Sequence, residues 1–162
     1  MNQKKTRKSL TIKSSIFYCI ALLAIVFSCS STNDSSVNES EIIKIIDNKM
    51  AAQESSWNNG DLEAFMLPYW KSDSLMFIGK SGLKKGWNTT LSNYKKSYIN
   101  KEEMGTLKFK NIDYKNIDNE SFLVTGKWLL NRNEELGNLS GHYTLLWKKF
   151  NDSWFIVYDH SS

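Results

Sequence analysis

The sequence predicts an α+β domain in which helices come first and a run of strands then forms one sheet wrapped over them. Two observations carry this reading. Up to residue 98 apolar residues recur mostly at helical spacing, with one short strand-like interruption, whereas from residue 107 they alternate with period two. Behind a distinct N-terminal leader and polar tract about 125 residues remain, a length that suits one domain. One proline and six tryptophans point to a compact, aromatic-rich globule.

The leader is read from charge and length. Lys4, Lys5, Arg7, Lys8 and Lys13 precede residues 16–27, an almost wholly apolar run that ends at Ser28-Cys29. A spanning helix needs about 20 apolar residues, and a run of about 7–15 behind a basic segment reads as a signal peptide. A core helix with an incidental cysteine, or a retained anchor helix, fits that length less well. Val26-Phe27-Ser28-Cys29 resembles the bacterial lipobox, with the aromatic Phe27 departing a little from its commonest form. The resemblance implies that residues 1–28 are removed and that Cys29 becomes a lipidated N-terminus. The domain would then be anchored in the bacterial cell envelope, facing the periplasm or the surface. Residues 29–37 are expected to be a flexible tether by composition, and residues 38–162 the single folded domain.

Two exclusions follow. Cys19 falls within the leader, so the mature chain would have no disulfide and no cysteine-based metal site. The 21 Lys+Arg and 17 Asp+Glu become 16 and 17 once the five leader charges are removed, a net of −1. The pI near 8.9 thus belongs to the leader. No basic, clustered face remains to support nucleic-acid binding.

Within the domain, Ser36 and Glu39 have the spacing of a capping box, with Ser40 an alternative cap. Ile42, Ile45, Ile46, Met50 and Trp57 then mark an amphipathic helix over 38–58, stopped by Asn59-Gly60. Asp61 caps a short helix over 62–67, with Pro68 just beyond. Residues 74–79 read as a strand and 80–86 as a turn. Trp87, Leu91, Tyr94 and Tyr98 form one stripe of a third helix. Leu107 and Phe109 alternate on one parity and Ile112 and Tyr114 on the other, which predicts a bulge near Asn111. Strands follow over 121–132, 141–150 and 154–160, the last two joined by a tight Asn151-Asp152-Ser153 turn.

With these elements in place a family resemblance emerges. "WNNGDLEAFMLPY", "GKSGLKKGW" and the closing "GHYTLLWKKFNDSWFIVYDHSS" resemble the nuclear transport factor 2-like superfamily, and within it the SnoaL-like, ketosteroid-isomerase-like branch. The resemblance covers nearly all of residues 40–162. It implies a cone, a strongly curved antiparallel sheet closed by helices, often paired into a homodimer through the sheet. It leaves the activity open, because this fold hosts enzymes, binders and assembly domains.

Candidate site residues come partly from the resemblance and partly from the pattern. The histidine of the D-H-S-S ending is a recurrent feature of related sequences, which makes His160 a candidate proton carrier. Strict alternation puts His160 on the face of Trp154, Ile156 and Tyr158, with Asp159 on the other, so the two are badly placed as a dyad. The competing reading is a histidine bonded to backbone at a strand end. His142 starts a strand, in a position to meet Arg132 across the turn at 133–138, or else stands as a solvated rim residue. Asp73, just after Tyr69 and Trp70 and just before the first strand, falls where this fold usually lines its mouth. Tyr94, Tyr98 and Trp128 would add aromatic walls, although such stripes are more often core. The isomerase's own base and acids find no matching motif positions in this chain.

Two distant histidines without metal-ligand spacing argue against a metal, and no phosphate loop or nucleophile elbow suggests another cofactor. Three functions fit: a lipid-anchored binder of a small, largely apolar molecule; a proton-transfer enzyme of the isomerase or cyclase type; and a dimerisation or partner-docking module. Convergent polar groups including a buried carboxylate would favour the enzyme, and a dry or collapsed pocket the other two.

Overall fold

A computed structural model describes residues 35–162, with side chains from Glu39 onward; the leader, Cys29 and the expected tether up to residue 34 lie outside the described residues. Ser36–Ser162 forms one compact unit. Its elements are α1 (Ser35–Asn58), α2 (Leu62–Phe65), β1 (Met76–Gly79), β2 (Gly82–Lys85), α3 (Trp87–Ser97), α4 (Lys101–Met104), β3 (Thr106–Asp118), β4 (Ser121–Asn131), β5 (Leu139–Phe150) and β6 (Ser153–Ser161). The six strands make one sheet in the order β2-β1-β6-β5-β4-β3. Among the described residues no helix is long and apolar enough to cross a membrane.

The expected α+β order holds, with three differences. Residues 80–86 are not a simple turn: Gly82–Lys85 pairs antiparallel with β1, making a short hairpin at the sheet edge. The sheet is mixed, because β1 runs parallel to β6 while every other pairing is antiparallel. Helix α4 was not anticipated; Asn100 caps it by accepting a hydrogen bond from the Glu103 amide at 2.8 Å.

Helix α1 lays Ile42, Ile46, Met50, Gln53 and Trp57 against the sheet, spacings of four, four, three and four that keep one helix face inward. Ile45, on the predicted stripe, is instead 36% exposed. Two side chains near the end of α1 fix the open edge of β3 with three hydrogen bonds. Asn58 both donates to the Leu107 carbonyl (3.0 Å) and accepts from the Leu107 amide (2.8 Å), while Glu54 accepts from the Phe109 amide (2.8 Å). Those bonds satisfy backbone groups that an edge strand otherwise offers to any passing chain.

The predicted bulge is present. Asn111 pairs with Gly126 and Asp113 with Thr125, leaving Ile112 unpaired and exposed. The β5–β6 turn has Asn151 and Asp152 both at positive φ (46° and 63°), the backbone of a two-residue hairpin that asparagine and aspartate tolerate. A bulge in β6 was not foreseen, and it decides the site. Leu146 pairs with Tyr158 but Trp147 with Ile156, so Val157 is the extra residue in β6.

Candidate functional site

Between the inner face of the sheet and helices α1 and α3 lies a cavity of about 890 Å³, within the range of small-molecule pockets. Trp57, Phe65, Tyr69, Tyr94, Tyr98 and Trp128 supply much of its wall. Their rings brace one another edge to face: Trp57 meets Tyr98 at 4.8 Å and Phe65 at 5.1 Å, and Phe65 meets Tyr94 at 5.3 Å. Such contacts add to the area each ring buries and hold the wall in shape without filling the space.

Asp159 lies in that wall, 2% exposed, and is the one carboxylate side chain among the described lining residues. Its Oδ2 accepts a hydrogen bond from the Tyr69 hydroxyl at 2.7 Å and its Oδ1 one from Ser161 at 2.6 Å. Tyr69 is positioned by backbone. The Trp70 amide donates to the Ile156 carbonyl and the Ile156 amide to the Pro68 carbonyl, both at 2.9 Å, so the segment before β1 runs beside β6. Burial pushes the Asp159 carboxyl up to about 6, against the pull of its bonds to Ser161 and Tyr69. Burial, followed by the charge of Asp159, holds the Tyr69 and Tyr94 hydroxyls well above their ordinary range, so both remain protonated donors.

Two lining residues each carry a buried donor without a hydrogen-bond partner among the described residues, Asn93 Nδ2 on α3 and Trp128 Nε1 on β4. Tyr143 completes the floor. Its ring lies over Gly126, where an added Cβ would come within 2.2 Å of it, and its hydroxyl donates to Asn111 Oδ1 at 2.6 Å.

The structure sorts the candidates of the sequence. Tyr69, Tyr94, Tyr98 and Trp128 line the cavity. Trp70 does not; it stacks on Phe150 with ring centres 5.1 Å apart. Asp73 is exposed and absent from the lining, so it cannot serve this cavity as a base. His142 is exposed opposite Lys127, while the Arg132 side chain turns to the Gly137 and Leu136 carbonyls and to Glu103. His160 is exposed as well. The bulge at Val157 is the reason: Trp154 and Ile156 point inward before it, and Asp159, not His160, points inward after it. Sequence reasoning thus missed Asp159, Ser161 and Asn93. Among the described residues no group of three or more His, Cys, Asp or Glu comes together to hold a metal.

A helix-backed sheet curled over an aromatic cavity is the architecture of the cone folds, and comparison with solved structures identifies the class. The chain is 40% identical to an NTF2-like protein of unknown function from Shewanella oneidensis MR-1, over 74% of this chain and 98% of that one, with a TM-score of 0.70. It belongs to the NTF2-like family. The fold alone is shared with an NTF2-like superfamily protein from Salmonella enterica (18% identity, 79% of this chain and 92% of that one, TM-score 0.58). It is shared likewise with a type 2 hexachlorocyclohexane dehydrochlorinase, LinA (11% identity, 78% and 88%, TM-score 0.63). No protein-family model matches the chain, and no curated protein does.

Proposed function

We propose that this chain is a lipoprotein of the bacterial cell envelope whose cone domain binds a small, largely apolar molecule. The cavity of about 890 Å³, open and walled by aromatic rings, is the observation that carries the binding reading. The lipobox-like Val26-Phe27-Ser28-Cys29 carries the anchor.

Binding is tested with N-phenyl-1-naphthylamine, a neutral dye that brightens in apolar surroundings. The wild-type domain is expected to bind it saturably. Leu139→Trp, at a lining position that is 40% exposed, should weaken binding by about tenfold with little change in the melt. His160→Gln should change neither, because that side chain is exposed and outside the lining. No saturable signal from the wild type would end the binding reading.

For the anchor, Cys29→Ser should leave an uncleaved, unlipidated precursor. Intact-mass analysis of the wild type that finds an unmodified mature chain starting elsewhere would remove the lipoprotein assignment.

Asp159 favours a second reading, proton transfer on the bound molecule. A buried carboxylate with a raised pKa is the usual form of a general base in an apolar site. It ranks second because, among the described residues, no other carboxylate side chain lies in the lining to divide the work of acid and base. Asp159-dependent loss of α-proton signals from cyclic ketones in heavy water, followed by NMR, would support it. Exchange at the same rate with and without protein would end it.

A further inference from the structure

Among the described residues Asp159 has no ion-pair partner, only the Coulombic pull of the adjacent His160. Its two bonds come from neutral hydroxyls, Tyr69 and Ser161. A carboxylate offers about four lone-pair positions, so two hydrogen bonds leave acceptor capacity free. A buried, ionised carboxylate without a cation is costly, and its natural complement is a positive charge brought in by a guest. The surroundings suit a cation too. Phe77 is in register with Asp159 on the adjacent strand, its ring is 5.7 Å from that of Tyr94, and Tyr69 lies alongside. Ring faces attract an alkylammonium that has shed its water.

We propose that the cavity takes an organic amine: an apolar body with one protonated nitrogen, seated against Asp159 between the rings of Tyr69, Phe77 and Tyr94. This rests on the cavity being a binding site and adds the charge of its guest. The lysines of the lining, Lys80 and Lys84, belong to the β1–β2 hairpin, and the Lys80 side chain is exposed, where solvent and salt screen it. If they set the preference instead, the guest would be an anion.

The test uses three probes with one chain, decylamine, decanol and decanoate, titrated calorimetrically below their micellar concentrations. The protein is the domain Ser36–Ser162, one compact unit that holds the buried core. At pH 7.5 decylamine should bind about tenfold or more tightly than decanol, with decanoate weakest. Asp159→Asn, shown by circular dichroism to be folded, should lower decylamine affinity to that of decanol and leave decanol unchanged. Decylamine affinity should also fall as pH drops through about 6, where Asp159 takes up its proton. The other titratable groups near it are the hydroxyls of Tyr69, Tyr94 and Tyr143, all pushed upward, and the adjacent His160 on the opposite face. Decanol or decanoate binding as tightly as decylamine overturns the amine assignment and leaves the cavity as a binding site. An amine preference that survives Asp159→Asn also overturns it. If none of the three binds, the amine assignment falls, and the naphthylamine titration decides whether the cavity is a binding site.

Discussion

Trp154→Ala is expected to destabilise the domain by about 3–5 kcal/mol, the range for deleting a large buried aromatic. Trp154 is 2% exposed on the inner face of β6, and its ring meets Phe122 edge to face at 6.3 Å. Phe122 is fully buried, as is Ile156 two residues along the strand, and neither can move far into the space left. The cost therefore combines lost burial with a cavity that does not collapse. Urea melts of the two proteins measure it. A loss below about 1 kcal/mol would mean that the inner face of β6 is not the packed layer described, since surface substitutions seldom exceed about 0.5 kcal/mol.

Asp159→Asn is expected to act in the opposite direction, stabilising the ligand-free domain at pH 7.5 by about 1–3 kcal/mol. Folding raises the Asp159 carboxyl from an ordinary 3.8 to about 6, chiefly by burial. Between those two values the folded protein binds the proton more tightly than the unfolded chain does. Stability from this group is therefore greatest below about pH 4, falls as pH rises through about 6, and levels off above. Converting that rise at about 1.4 kcal/mol per pH unit gives the upper end of the range. The amide keeps the size of the side chain and an oxygen to accept from Tyr69, but carries no charge to desolvate. Stability of both proteins at several pH values between 4 and 7.5 measures the difference. It should widen with rising pH; a difference independent of pH would show that Asp159 is not a buried, ionising group. A residue that lowers stability at neutral pH is what a site held ready for a ligand looks like.

Much of the fold was legible in the sequence because each element is written locally. The alternation of Leu107 and Phe109 and its reversal at Ile112 located a strand and its bulge, and Asn151-Asp152 located the hairpin, by the backbone each residue tolerates. The stripe Trp87, Leu91, Tyr94, Tyr98 is a helix face that packs on the core, and two of those residues proved to be cavity wall. The short strand Gly82–Lys85 was not legible, because a four-residue edge strand carries too little periodicity to separate it from a turn.

The site was decided by tertiary structure. Alternation carries one residue's facing to the next only while the pairing register is unbroken. In β3 the bulge showed because apolar residues flank it on both parities. In β6 every residue from Trp154 to Tyr158 is apolar or aromatic, so nothing in the pattern betrays the extra Val157. Only the pairing with β5 shows it, and that one residue exchanges His160 for Asp159 on the inner face. The partner that orients Asp159, Tyr69, lies 90 residues away in sequence, brought there by the backbone bonds between residues 68–70 and Ile156. The sequence by itself determined the elements, their order and an aromatic-rich core, because propensity and periodicity act over a few residues. Which polar group faces the cavity depends on strand register and long-range pairing, and those exist only once the sheet has closed over the helices.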